Sequence, residues 1–251
     1  MSTPVSIVLL GFFLGMRHAT DPDHVIAVTT IVARQRRVGA AALIGVLWGI
    51  GHTLTIIAVG GAVIVFGVVI PPRLGLTMEL SVALMLILLG LLNLAGITRW
   101  ITRTVTPVHV HPHQHGDDLH TRAHVHASDD APLTRLDRRL GDLGLYQALR
   151  PLAVGVVHGL AGSAAVALLV LAAIPDPLWG IAYLIVFGVG TIAGMMLVTA
   201  ASALPFAYTV NRFAAVNRHL VLASGVASIA FGLFLVYRIG VVDGLFSGPP
   251  G

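Results

Sequence analysis

Apolar and polar positions in this chain segregate on the scale of whole segments. Long runs nearly free of charged side chains are separated by short polar connections and one long one. The runs cover about Val5–Ala33, a stretch within Val38–Pro72 that has no Asp, Glu, Lys or Arg, Leu80–Ile97, Pro151–Ile174, Leu178–Tyr208 and His219–Tyr237. A helix needs about 20 apolar residues to cross a bilayer, and each run is near or above that length. The pattern predicts an all-α polytopic membrane protein with about six transmembrane helices. The second and fifth runs are long enough to be tilted or broken, with Gly60-Gly61 and Pro205 as expected break points.

The runs also repeat. Gly15-Met-Arg-His18 in the first resembles Gly155-Val-Val-His158 in the fourth, 140 residues on. Trp48-Gly-Ile-Gly51-His52-Thr in the second resembles Phe187-Gly-Val-Gly190-Thr191-Ile in the fifth at 139, and Leu89-Gly90 resembles Phe231-Gly232 at 142. Halves of three spans must face opposite ways, the inverted repeat of many secondary transporters, with the substrate site at the repeat interface. Coincidence among Gly-rich apolar helices is the competing explanation. The expected organisation is a membrane half over 1–98 carrying the motif described below, a polar loop over 99–149, and a second membrane half over 150–251.

Composition agrees: 56% of the 251 residues are hydrophobic and 10% charged, with a mean hydropathy of +0.90, whereas soluble domains carry about 25% charge. All 15 basic residues are Arg. They lie mostly in connections, a placement suited to anionic lipid head groups and not to nucleic acid. Leaving aside Arg17, inside the first run, they number 12 on the side of the 99–149 loop against 2 on the other. Both termini are thus expected outside, with the loop in the cytoplasm. Omitting the seven arginines from Arg99 to Arg150 leaves 5 against 2. The absence of Cys excludes disulfides and thiolate ligands. The first run has no basic segment before it and no small-residue cleavage site, so it reads as a retained helix. No phosphate-binding loop is present, and any energy source is a gradient or another subunit.

Within the first run stands Arg17-His18-Ala-Thr-Asp21-Pro22-Asp23-His24. Each charge at the bilayer centre costs about 2.5–3.5 kcal/mol on insertion scales. Imidazoles and carboxylates together are ligands for a divalent transition metal, which offsets that cost. On a regular helix His18, Asp21 and His24 share an arc of about 120° and Asp23 points away. Two arrangements follow from Pro22. It either distorts the helix and brings Asp23 inward, or starts a new helix at the membrane edge with the Asp residues as caps. His52, in the uncharged second run, and His158, the repeat counterpart of His18, are further candidate ligands or interhelical hydrogen-bonding groups. Asn93 reads as an interhelical contact.

The long loop holds a second set of imidazoles: His109, His111, His113, His115, His120, His124 and His126, with Asp117 and Asp118 among them. Its composition predicts a disordered tract that binds metal at several stoichiometries, buffering or sensing it. A plain solvated linker is the alternative.

His18-x4-Asp23-His24 matches the HX4DH signature of the nickel/cobalt transporter family, and Gly51-His52-Thr53 resembles the Gly-His-Ser/Thr element of that family's next helix. The likeness is close over about forty residues, while the family's later LGFDTATE-type motif has no clear match; Val157-His158-Gly-Leu-Ala-Gly-Ser163 occupies its region. The family typically has eight spans, and this chain resembles the shorter six-span branch that includes urease-accessory permeases. The resemblance implies a permease, not an enzyme, taking up Ni²⁺ or Co²⁺ as its transported ion with no resident cofactor. His18, Asp21, Asp23, His24, His52 and His158 would form its metal site, and a nickel-enzyme maturation machinery, urease or hydrogenase, would be its partner. Efflux is the alternative direction. More remote are a metal sensor without transport and an intramembrane serine protease, whose Gly162-Ser163 lacks the GxSG pattern and a paired His.

Overall fold

A computed structural model describes residues 4–67, 70–95, 109–115, 118–124, 145–161 and 176–246. Seven α-helices follow the apolar runs among these residues: α1 (Pro4–His18), α2 (Pro22–Val32), α3 (Val38–Phe66), α4 (Pro72–Ala95), α5 (Leu145–Leu160), α6 (Pro177–Thr209) and α7 (Ala214–Tyr237), the last continued by a π-helical turn, Arg238–Val242. α3, α4, α6 and α7 with its extension are each long and apolar enough to cross a bilayer. They turn Leu54, Leu84, Leu88, Leu197 and Leu233 outward, as helix faces in contact with lipid do. This is a multi-pass helical membrane protein.

Six uniform spans are not what the described residues contain. The first run is two helices of 15 and 11 residues, interrupted between His18 and Pro22. Pro22 occupies the first turn of α2, where its missing N–H has no helical partner to lose. The fourth run is helical from Leu145 to Leu160, with Pro151 inside the helix, and 162–175 lie outside the described residues. The expected breaks also fail to appear. α3 passes through Gly60-Gly61 to Phe66, and α6 passes through Pro205 to Thr209. Glycine loosens a helix in water, but at membrane depth an unpaired amide has no solvent to turn to, so the ladder persists.

The helices pack in two groups. α3 runs antiparallel to α6, with Gly45 against Met195 and Thr199 and Gly188 against Thr53; α1 lies parallel to α6 and α5 parallel to α3. These approaches require glycine. A Cβ at Gly155 would collide with the Trp48 carbonyl oxygen, and one at Gly190 with that of Phe12. α4 and α7 form the other group, antiparallel, tied by Ser228 Oγ donating to Leu86 O at 2.7 Å. Asn93 Nδ2 donates to Val221 O and Ser224 Oγ, and Arg34 donates to both Asn93 oxygens. Asn93 thus joins α4, α7 and the end of α2, the interhelical role expected of it.

Within the polar loop the backbone of β1 (His109–His115) pairs antiparallel with β2 (Asp118–His124). Disorder was expected there. The strict alternation of His with other residues has the two-residue period of a strand, and composition alone does not register it. His126 lies outside the described residues.

Candidate metal site

The interruption after His18 builds the site. Asp21 holds the N-cap position of α2 with extended backbone (φ −59°, ψ 143°), yet its side chain makes no capping bond. Its Oδ2 instead accepts from His18 Nδ1 at 2.8 Å. Ala19 packs on Gly194, near the middle of α6, and His52 stands midway along α3. The arrangement therefore combines both readings of Pro22: a new helix does start there, but at mid-length of the bundle and not at its edge.

Starting α2 at Pro22 turns Asp23 inward. Its Oδ1 accepts from the backbone N–H of His24 at 3.0 Å and from His24 Nδ1 at 3.1 Å, and its Oδ2 accepts from His158 Nε2 at 2.9 Å. His18 Nε2 and His52 Nε2 share a hydrogen bond of 3.0 Å. Four helices, α1, α2, α3 and α5, thus contribute to one cluster. His24, His52 and His158 are buried, as is His18, while Asp23 is partly and Asp21 more fully accessible.

These bonds fix the free valences. A neutral imidazole that donates from one nitrogen keeps a lone pair on the other. His24 and His158 both donate to Asp23, which leaves His24 Nε2 and His158 Nδ1 as lone-pair nitrogens. With His18 donating to Asp21, His18 Nε2 accepts from His52 Nε2, which frees His52 Nδ1. All three freed nitrogens are buried and lack a partner in the protein. The carboxylates orient the rings from behind, the relation found around metal-binding histidines. Two sets of donor atoms, His18–His24–His52 and Asp23–His24–His158, each lie within 4.8 Å of one another. Either set can hold a metal ion once the ring protons now pointing at Asp23, or shared between His18 and His52, are moved to the opposite nitrogens or released.

Sequence reasoning does not place Trp48 in the site. It is fully buried and lies parallel to the His24 ring at 5.8 Å and edge-on to His158 at 5.4 Å. The available signal was its position one helical turn before His52, inside the repeated segment. A cavity of about 360 Å³ opens beside Asp21 and Asp23, with Glu79, Arg238 and Asp243 on its wall. Arg238 Nε and Asp243 Oδ2 are 3.9 Å apart there. Five of the six expected residues, His18, Asp23, His24, His52 and His158, meet in the cluster, and Asp21 supports His18 from its rim. The loop histidines His109, His111, His113, His115, His120 and His124 lie in the hairpin, for which the backbone pairing alone is described. Ser163, the candidate nucleophile, is outside the described residues.

The urease accessory protein UreH of Bacillus sp. (strain TB-90) is 32% identical to this chain over 245 residues, covering 96% of this chain and 95% of the relative. No protein-family model matches the chain, and no solved structure does.

Proposed function

Because the chain belongs to the family of the urease accessory protein UreH, we propose that it is an inner-membrane permease that carries Ni²⁺, with Co²⁺ as a second substrate, into the cell. The observation that carries this reading is the buried cluster at mid-length of α3, in which Asp23 orients two imidazoles and three ring nitrogens hold unclaimed lone pairs. Asp23 offsets part of the charge of an entering dication. The imidazoles favour nickel and cobalt over magnesium and calcium. His18, Asp23, His24, His52 and His158 bind the ion, and Asp21 holds His18. The ion passes through unchanged, so neither a cofactor nor an enzymatic step is required.

Helix pairing supports an inverted repeat of two membrane halves, 1–98 and 150–251, joined by the 99–149 loop. α3 and α6 cross antiparallel, α4 and α7 do likewise, and α1 lies on α6 as α5 lies on α3, the relations a two-fold axis between the halves requires. Arginine placement puts the termini outside and the loop in the cytoplasm. The cavity lies toward the first turns of α4, the outer end in that orientation, which supports uptake. The relative's name supports urease maturation as the destination of the metal, and the His-rich loop is suited to receive it on the inner side.

The test is radiolabelled nickel flux into oriented proteoliposomes, with cobalt, zinc and manganese as competitors. Wild type is expected to accumulate nickel, and Asp23→Asn and His24→Ala to lower the initial rate at least about tenfold. Unchanged flux in both variants sinks the proposal. In cells, deletion of the gene should lower nickel content; a rise identifies efflux instead.

A further inference from the structure

We propose that the cluster holds one ion at two successive positions sharing His24, so that a dication passes from Asp23, His24 and His158 to His18, His24 and His52. The proposal rests on the permease reading and adds to it the order in which the ligands act. The two donor sets each close to within 4.8 Å and have His24 in common. They do not merge into one. The His24 ring centroid lies 4.3 Å from that of His158, 4.6 Å from that of His18 and 5.1 Å from that of His52, while the His52 and His158 rings are 6.1 Å apart. His18, His24 and His52 form a triangle, with His18 and His52 5.1 Å apart, and His158 joins it through His24.

The two positions differ chemically. The first includes a carboxylate, whose charge and oxygen donor suit an ion that has just left water. The second is three neutral imidazoles, a softer set that discriminates against magnesium and calcium. Asp23 lines the cavity, and none of the four histidines does, so the mixed set is met first. Two dications at adjacent positions repel strongly in a medium of low dielectric, and both sets need His24. Occupancy is therefore single, and the ion moves by exchanging Asp23 and His158 for His18 and His52 while His24 stays bound. Trp48 lies against the His24 ring, nearly parallel to it, and so limits how far that ring tips during the exchange.

The experiment uses purified full-length protein with Co²⁺ as the probe, its visible ligand-field absorption reporting the donor set, alongside radiolabelled nickel flux in proteoliposomes. His158→Ala should leave an all-imidazole spectrum and His52→Ala a carboxylate-containing one, each with Co²⁺ affinity within about tenfold of wild type. His24→Ala should lose both spectra. All three should lose flux. Should an alanine variant aggregate, His158→Gln or His52→Gln takes its place. If His158→Ala and His52→Ala each abolish Co²⁺ binding, the cluster is one composite site and the relay is wrong, although wild-type flux still upholds the permease. Identical spectra in the two variants, or wild-type flux in either, also overturn it. A wild type that binds Co²⁺ but moves no nickel overturns the permease reading, and the relay with it.

Discussion

Asp21 and Asp23 are two residues apart in sequence and do different work. Asp23 is partly buried and accepts three hydrogen bonds from two histidines, His24 and His158, on different helices. Asp21 is accessible and holds only His18. An Asn at 23 keeps the shape but removes the charge and one acceptor, leaving an imidazole N–H of a buried ring without its carboxylate. Removing a group that orients a metal-binding histidine costs roughly 10- to 100-fold in metal affinity. Asp21→Asn is expected to weaken nickel binding within that range, and Asp23→Asn, which strikes a ligand and an orienting group together, to weaken it further. Equilibrium binding to the purified variants checks the order, and a stronger effect at Asp21 would contradict it.

The interruption between α1 and α2 is the element on which the site depends. With Pro22 in the first turn, α2 starts afresh, and the side chains of 18, 23 and 24 leave the fixed angular spacing of one continuous helix. Alanine has a high helix propensity and restores the N–H. Pro22→Ala is therefore expected to extend the helix across 19–21 and draw Asp23 away from His158, with loss of nickel flux but normal assembly in the membrane. Flux measured at matched protein amounts decides it: a fully active Pro22→Ala means the break is held by packing of Ala19 on Gly194 and not by the proline.

At the scale of the whole molecule the testable property is orientation. The natural chain has no Cys, so single cysteines can be introduced without a prior background-removal step. With Arg73→Cys and His126→Cys, a membrane-impermeant thiol reagent applied to intact cells is expected to label position 73 and spare 126. The reverse pattern would turn the molecule over and with it the side on which the cavity opens.

Hydropathy and charge placement determined the membrane class, the approximate helix positions and the motif that carries the chemistry. These are properties of runs of side chains and do not depend on what lies beside them. His18, Asp23 and His24 were legible because ionisable groups inside an apolar run have few explanations, and His158 because the sequence repeats. The tertiary structure decided the rest. Whether Pro22 kinks a helix or begins one depends on the surroundings of the break, where Ala19 packs on Gly194 of α6. The continuity of α3 through Gly60-Gly61 reflects the cost of an unpaired amide in lipid, which propensities measured in water do not contain. The stacking of Trp48 on His24, the His18–His52 bond and the Asp23–His158 bond arise from contacts between different helices, the last of them across 135 residues. Spacing along one helix fixes which residues share a face; which face meets which is settled when the helices pack.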